Sequence, residues 1–339
     1  MNMKYTLTRL STLLLAPLAV LTAAAADMPT PTTDQGIRVA RFKGDREAAL
    51  SFTLDDGWED NATIAAPMLD RYGFHATFFL VSGVIPLNDT EKKSNHKYGQ
   101  ISWDRWKQIA QTGHEIANHT LHHIGLTKSS NEVIRAEIDG GQQLIAQKIG
   151  VTPISFAYPG NARDDRVRKF VYARHAVARE SETGYGRPDF TTEKANQLVD
   201  KALVDKRWMV AMLHAIVEGY AAFSSASILE EHLKHVQKLQ DRLWVDTFGN
   251  VGRYVKERDA AKLSVKRDAT SATIILATGL DATLFNVPLT VVIDHVNAVS
   301  AEAKREGESA PLPVTIVADR LLVELVPGAA PVTIRWRPQ

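Results

Sequence analysis

Short apolar runs alternate with amphipathic stretches between residues 37 and 259, and this alternation constrains the fold more than any other feature. An apolar run bounded by turn residues is typical of a buried strand, and apolar residues spaced three or four apart are typical of a helix. We therefore expect a parallel α/β fold over this range, for which a barrel is the economical closure. The apolar runs are residues 48–54, 76–81, 114–117, 154–158 and 208–213, and the helical patterns are residues 61–72, 103–112, 131–149, 166–172 and 227–240.

The pattern changes after residue 259, where five short segments rich in β-branched residues are separated by turn residues. Residues 260–339 are therefore predicted to form a small all-β domain. We expect it to pack against the preceding domain rather than to bind carbohydrate, because no row of aromatic residues stands out beyond Trp336. The five segments are residues 272–277, 289–294, 313–318, 321–326 and 332–336.

The N-terminus has the pattern of an export signal. Lys4 and Arg9 precede an apolar run over residues 10–22, and three alanines at residues 24–26 offer a cleavage site. A retained membrane anchor is the alternative, but Pro17 interrupts a run that is short for the ~20 residues of a bilayer span. Residues 1–26 are therefore predicted to be a signal peptide and residues 27–36 a linker. The mature protein is expected to be exported, either to a periplasm or out of the cell, without a stable membrane span.

Composition narrows the possible partners and metal ligands. Of 339 residues, 40 are lysine or arginine and 39 are aspartate or glutamate, so the chain lacks the basic surplus of a nucleic-acid-binding protein. It contains no cysteine, which excludes disulfides and thiolate metal sites. Any bound metal must therefore be held by histidine and carboxylate.

Two adjacent aspartates, Asp55 and Asp56, follow an apolar strand pattern directly and precede Gly57. Barrel enzymes keep their active groups at strand ends. Neighbouring residues on an extended backbone point to opposite sides, so one carboxylate can bind a metal while the other faces a substrate water. A plain Asp-Gly turn that reverses the chain is the alternative.

A histidine-rich segment supplies further metal-ligand candidates. His119 and His123 are four residues apart, and on a helical turn both imidazoles would lie on one face and bind one ion. With Asp56 as third ligand, such a set leaves an open coordination position, as catalytic zinc sites do. His114 and His122 are interpreted as structural or exposed residues.

Two more strand ends carry candidates for catalysis. One strand pattern ends in Pro159-Gly160, where a backbone N–H without a neighbouring side chain could stabilise an oxyanion. Another ends in His214, which is either a catalytic group or a buried structural histidine. Neither motif alone distinguishes these alternatives.

Taken in order, these segments resemble the polysaccharide deacetylase, or NodB-homology, family, also called carbohydrate esterase family four. Residues 53–57, Thr-Leu-Asp-Asp-Gly, resemble its first motif, Thr-Phe-Asp-Asp-Gly, and residues 119–123 fit its His-Ser/Thr-x-x-His motif. The resemblance implies that Asp55 is the catalytic base and that Asp56, His119 and His123 are the metal ligands.

The resemblance covers residues 48–254 and implies a distorted (β/α) barrel. It also implies that His214, which follows Leu213, is the general acid, while the Gly160 N–H remains the candidate from its strand end for binding the oxyanion. Many members carry an arginine that tunes the base where this chain has Ala157. The sequence leaves open how Asp55 is tuned, and it does not assign the family's fourth motif, for which Arg179 and Asp189 are candidates.

The expected function is therefore the metal-dependent removal of N- or O-linked acetyl groups from a carbohydrate. One divalent ion is implied, with zinc preferred and nickel or cobalt as alternatives, since histidine and carboxylate suit several metals. Trp58, Tyr158 and Trp244 are candidates for sugar stacking, although each also fits a packing role. The alternative functions are hydrolysis of cyclic amides or imides, and a catalytically silent exported protein that binds carbohydrate or zinc.

Overall fold

The structure, a computed structural model, describes residues 33–88 and 101–339. It begins with a hairpin of β1 (Thr33–Asp34) and β2 (Ile37–Val39). Eight parallel strands then form one sheet, in the order β7-β6-β5-β4-β3-β9-β8, with β10 beside the N-terminal half of β3. These strands are β3 (Ala48–Asp55), β4 (Thr77–Leu80), β5 (Glu115–Asn118), β6 (Ser155–Phe156), β7 (Val177–Ala178), β8 (Thr183–Gly184), β9 (Trp208–Leu213) and β10 (Leu243–Val245).

Helices connect these strands, and the predicted α/β barrel is confirmed in its distorted form. The sheet is open, because its outer strands β7 and β8 do not pair in the described part of the chain. All eight residues of β3 are buried, as expected for the centre of a sheet that is covered on both faces. The helices are α1 (Ala66–Arg71), α2 (Trp103–Gln111), α3 (Asn131–Ile149), α4 (Asp165–Tyr172), α5 (Thr192–Val204), α6 (Ala226–Gln237) and α7 (Phe248–Ala260).

The C-terminal part is built from β-strands alone, as predicted. Two antiparallel sheets, β1-β2-β13-β16-β15 and β11-β12-β17-β14, share one apolar core. Their strands are β11 (Lys262–Arg267), β12 (Ser271–Ala277), β13 (Leu289–Asp294), β14 (Ala298–Arg305), β15 (Val314–Val317), β16 (Arg320–Leu325) and β17 (Gly328–Pro338).

The start of the described chain differs from the predicted linker and domain boundary. Residues 33–36 belong to the β1/β2 hairpin, and β2 continues the C-terminal sheet by pairing Ile37 with Ile293 and Val39 with Val291. The side chains of Ile37 and Val39 are buried in the core of that sheet, which explains why this segment belongs to the C-terminal sheet rather than to the barrel. The predicted signal peptide, residues 1–26, lies outside the described residues.

Helix α7 joins the barrel to the β-strand region. The Tyr254 hydroxyl donates to the Ala40 carbonyl at 2.9 Å, and Val251 and Tyr254 are buried in the core of the two antiparallel sheets. The C-terminal region thus packs against the barrel, as expected. In the described residues, no helix is both long enough and apolar enough to span a membrane.

Candidate active site

The polar side chains predicted as functional lie at the carboxyl ends of parallel strands. Asp55 ends β3 and Asp56 follows it, His119 follows β5, Arg179 follows β7, and His214 follows β9. Because these strands run in the same direction, their carboxyl ends meet at one edge of the sheet. The fold therefore brings together residues that are far apart in the sequence.

Asp56, His119 and His123 form a compact group of possible metal ligands. One ligand atom from each lies within 4.8 Å of the other two. The Asp56 Oδ1 atom is 3.6 Å from His119 Nε2 and 3.4 Å from His123 Nε2. Asp56 and His119 are buried, while the side chain of His123 is 24% exposed, so the group is reached from one side.

Left-handed backbone positions create this arrangement. Asp56 has φ 75°, Thr120 has φ 70° and His123 has φ 58°, values that cost energy for residues with a Cβ. The helical turn predicted for residues 119–123 is therefore wrong, although the two imidazoles do meet, with ring centroids 4.8 Å apart. The Thr120 Oγ1 atom accepts the His123 N–H at 2.9 Å and closes the turn in place of a helical hydrogen bond.

The protonation of His119 suits a metal ligand. Its Nδ1 lies 2.9 Å from the Ala157 carbonyl oxygen, which can only accept, so Nδ1 carries the proton and the Nε2 lone pair faces Asp56. Burial lowers the pKa of His119 to about 4, so the ring is neutral at physiological pH. A neutral imidazole whose second nitrogen is held by a carbonyl is the usual form of a metal-binding histidine.

Asn118 supports the turn between the two histidines. Its Oδ1 accepts the Thr120 N–H at 2.9 Å, and its Nδ2 donates to the Ile138 carbonyl at 2.9 Å. Gly141 of α3 leaves room for this amide, since a Cβ on it would lie 2.4 Å from the Asn118 Oδ1. The turn is therefore anchored to α3.

Arg179 binds Asp55 through both guanidinium nitrogens. The Nη1 to Oδ1 distance is 2.7 Å and the Nη2 to Oδ2 distance is 2.5 Å. The Arg179 guanidinium also donates to Thr53 Oγ1 at 3.1 Å and to Asn161 Oδ1 at 3.3 Å. Of the two candidates from the sequence, Arg179 is thus the one at the site, whereas Asp189 is exposed before α5.

The electrostatic balance keeps Asp55 ionised. Burial raises the pKa of Asp55, but the charge and hydrogen bonds of Arg179 outweigh that effect and leave the pKa below its usual value.

His214 and Gly160 border the same group. His214 is partly exposed, and its ring meets the ring of Tyr220 edge-on, with centroids 4.9 Å apart at 89°. Gly160 is exposed with φ 60°, and the next residue is Asn161, the partner of Arg179. The roles predicted for His214 and Gly160 stay predictions.

The other two histidines of the histidine-rich segment, His114 and His122, form structural contacts. The His122 Nδ1 lies 2.8 Å from Glu137 Oε1, and the His114 Nδ1 accepts the Ala76 N–H at 2.9 Å. These contacts agree with the interpretation of both histidines as residues outside the metal group.

The aromatic candidates from the sequence are mostly packing residues. Tyr158 is 1% exposed and Trp244 is 7% exposed, which leaves neither ring face open to a sugar. Trp58 is partly exposed. Tyr220, which is 60% exposed beside His214, was not predicted, because a lone tyrosine in a loop has no sequence signal.

Comparison with known proteins gives a family match over part of the chain and similarity to two relatives. Residues 43–176 match a protein family described as polysaccharide deacetylase. The chain is 26% identical over 342 residues to a gellan lyase from Bacillus sp, which covers 87% of this chain and 13% of that protein. It is 29% identical over 124 residues to a peptidoglycan-N-acetylglucosamine deacetylase from Bacillus cereus, which covers 36% of this chain and 51% of the relative.

Among solved structures, a family 4 acetyl xylan esterase from Clostridium thermocellum, determined with a cobalt ion, has 19% identity and a TM-score of 0.46. That match covers 60% of this chain and 89% of the other. The chain spans about half or less of the length of the two curated relatives named above.

Proposed function

We propose, from the match of residues 43–176 to the polysaccharide deacetylase family, that the protein is a metal-dependent hydrolase that removes acetyl groups from a carbohydrate. The observation that carries the proposal is the meeting of two different groups at one sheet edge. One is a candidate metal group of Asp56, His119 and His123, and the other is the buried pair of Asp55 and Arg179. A protein that only bound metal or sugar would not need the second group.

The ligand atoms of the first group fit a divalent metal. Their nitrogen and oxygen chemistry and their mutual distances match a set of two histidines and one carboxylate, and the Ala157 carbonyl fixes His119 with its free nitrogen toward Asp56. A bound ion would polarise the acetyl carbonyl and lower the pKa of a nearby water. We propose zinc, with nickel or cobalt as alternatives, because this donor set suits several divalent ions.

The remaining residues supply proton transfer and charge stabilisation. Asp55 accepts a proton from the attacking water, and Arg179 keeps that carboxylate ionised and fixed in orientation. The Gly160 N–H donates to the oxygen that gains negative charge. His214 donates a proton to the departing amine or alcohol, so that the bond to the acetyl carbon breaks and acetate and a free amino or hydroxyl group remain.

The proposed substrate is an acetylated polysaccharide or oligosaccharide. The family match and the peptidoglycan deacetylase among the relatives support this class. The N-terminal sequence pattern supports action outside the cytoplasm.

The test is acetate release by the purified mature chain from acetylated chitin oligomers, peptidoglycan and acetylxylan, with small cyclic amides alongside. Each substrate is assayed before and after chelation and after a divalent metal is added back. The Asp55→Asn and His214→Ala variants serve as matched controls with the metal ligands intact. Acetate that depends on metal and on both residues would support the proposal.

Two results would contradict it. Ring opening of a cyclic amide without acetate release from any carbohydrate would assign the site to amide hydrolysis. Bound metal without turnover of any substrate would indicate a silent binding protein.

A further inference from the structure

The loop that carries His214 is held by a carboxylate from another part of the chain. One oxygen of Asp60, Oδ2, accepts the backbone N–H groups of Ile216, Val217 and Glu218 at 2.7 Å, 2.7 Å and 3.1 Å. Asp60 is 6% exposed, so these charge-assisted hydrogen bonds are shielded from water. We define residues 214–223 as the His214 loop.

The loop is closed on itself and packed against the segment that follows β3. The Ala215 N–H donates to the Tyr220 carbonyl at 3.2 Å, which folds Tyr220 back toward His214. Gly219 has φ 142°, and a Cβ on it would lie 2.5 Å from the Trp58 ring. The position of the loop therefore depends on residues directly after Asp55 and Asp56.

Asp60 does not use its side chain to cap its own helix. It precedes the π-helical turn Asn61–Ala65, yet its carboxylate makes no capping hydrogen bond there. Its side-chain hydrogen bonds within the described residues all go to the His214 loop, about 156 residues later in the chain. This is the pattern of a residue that joins two parts of a site rather than one that begins a helix.

In the part of the chain that the structure describes, the ring of His214 lacks the usual orienting hydrogen bond at Nδ1. Catalytic histidines are commonly held by a carboxylate or carbonyl at the nitrogen that does not face the substrate. Within residues 33–88 and 101–339, the buried His214 Nδ1 has no hydrogen-bond partner. The ring direction then depends on the backbone of the loop and on the edge-on contact with Tyr220.

We propose that Asp60 is a positioning residue for His214: by binding three consecutive N–H groups it fixes the loop, and through it the proton donor to the leaving group. This inference rests on the proposed function, because it assigns to Asp60 a share in protonating the departing amine or alcohol. Misplacing a catalytic group by about 1 Å can reduce turnover by roughly 100-fold, so a loosened loop has a measurable effect.

The experiment compares Asp60→Ala and Asp60→Asn in the full mature chain on two substrates. An acetylated glucosamine oligomer has a poor leaving group that needs a proton, whereas 4-nitrophenyl acetate has a leaving group that does not. Asp60→Ala should lower kcat on the oligomer by about 10- to 100-fold, with KM nearly unchanged, and leave the ester within about threefold of wild type. Asp60→Asn, which retains an acceptor oxygen, should recover most of the loss.

His214→Ala and the double variant test whether Asp60 acts through His214. If it does, the single variant His214→Ala shows the same substrate selectivity, and adding Asp60→Ala to it causes little further loss. Asp246→Ala is the matched control, because the Asp246 carboxylate also accepts a backbone N–H, that of Thr247 at 2.7 Å. Asp246 lies beside Leu50 in the first half of β3, away from the carboxyl end of that strand. Equal losses on both substrates, or additive losses in the double variant, would overturn the inference.

Amide hydrogen exchange tests the positioning without any substrate. Asp60→Ala should speed exchange at residues 216–218, Asp60→Asn should do so less, and Asp246→Ala should not. Unchanged exchange at these amides in Asp60→Ala would overturn the inference even if the enzyme is active. If exchange at these amides is faster in Asp60→Ala but the wild-type chain releases no acetate from any carbohydrate, the result would support the role of Asp60 in fixing the loop and contradict the proposed function.

Discussion

The Arg179 guanidinium donates hydrogen bonds to both carboxylate oxygens of Asp55, at 2.7 Å and 2.5 Å. Arg179 directly follows β7, and Asp55 is the last residue of β3. The pair joins positions 124 residues apart, and both side chains are almost wholly buried. The family resemblance seen in the sequence implies such an arginine at the position of Ala157. Here the Ala157 carbonyl accepts a hydrogen bond from His119, and the guanidinium reaches Asp55 from the next strand instead.

Replacing Arg179 should shift the pH dependence of activity. Arg179 lowers the pKa of Asp55 against the opposing effect of burial, so Arg179→Ala should leave the carboxylate protonated to higher pH. The acidic limb of the kcat/KM profile should move upward, and turnover at neutral pH should fall by about 10- to 100-fold. The measurement is a pH profile of acetate release at saturating metal.

Two companion variants make this result interpretable. Arg179→Lys retains the charge without the planar fork and should shift the profile less. Arg174→Ala removes an exposed arginine that is paired with Asp139 and should leave the profile unchanged. Arg179→Ala also leaves the buried Asp55 carboxylate without its partner, which should lower the free energy of unfolding by ~3–5 kcal/mol. Thermal unfolding must therefore confirm that the variant is folded under the assay conditions. An unchanged acidic limb in folded protein would contradict this role of Arg179.

Metal content should separate the ligand variants from the catalytic ones. His119→Ala and Asp56→Ala each remove a ligand atom and should reduce bound metal and activity together. Asp55→Asn and His214→Ala should keep metal near the wild-type level while activity falls. Elemental analysis after dialysis against a weak chelator measures both groups side by side, and equal metal loss in all four variants would contradict the division of roles.

The sequence predicts elements whose apolar residues follow a clear period. Helix α3 and strand β9 have the predicted bounds, since both bury a regular set of large apolar side chains. Strand β14, Ala298–Arg305, was missed because its buried positions are alanines, while its larger side chains are mostly exposed. Such a strand is specified by its pairing with β17 rather than by its own composition.

Parts of the site depend on contacts that no local pattern records. The meeting of His119 and His123 was predicted from helical spacing, but it arises from a left-handed turn at Thr120 and His123. The choice between Arg179 and Asp189 required the order of the strands in the sheet. Asp60 was missed because its partners lie in a loop about 156 residues away.

Two adjacent glycines in α3 offer a matched test of the metal-binding turn. In Gly141→Ala the new methyl group would lie 2.4 Å from the Asn118 Oδ1 and 3.0 Å from the Thr120 carbonyl carbon. It should displace the turn and weaken metal binding by at least about 10-fold, the size of effect seen when supporting contacts of metal ligands are lost. A metal titration of the chelated protein measures this change.

Gly140→Ala is the control. Among the described residues, its methyl group would meet the Leu121 side chain alone, at 3.3 Å. Removing a glycine from a helix interior stabilises a protein by about 0.5–1 kcal/mol. Metal affinity should therefore stay close to wild type. Equal effects from the two substitutions would mean that the Asn118 contact does not support the turn.

Glu257 should make the stability of the fold depend on pH. This side chain of α7 is fully buried, and its Oε1 accepts the Val287 N–H at 3.1 Å just before β13. Burial raises the pKa of Glu257 from 4.5 to about 7. Between these two pH values the carboxyl keeps its proton in the folded protein, whereas the unfolded chain has already released it. The free energy of unfolding should therefore fall as pH rises from about 4.5 to about 7, by at most about 1.4 kcal/mol per pH unit from this group, and stay lower above that window.

Glu257→Gln should remove this contribution, because the amide cannot ionise and can still accept the Val287 N–H. Urea unfolding of the chelated protein at pH 5 and pH 8 measures it, and chelation excludes the pH dependence of metal binding. Relative to wild type, the variant should gain more stability at pH 8 than at pH 5. Glu302→Gln, at an exposed position on β14, should not change the difference between the two pH values. If Glu257→Gln and Glu302→Gln behave alike, the carboxyl of Glu257 is ionised in the fold and another group must balance its charge.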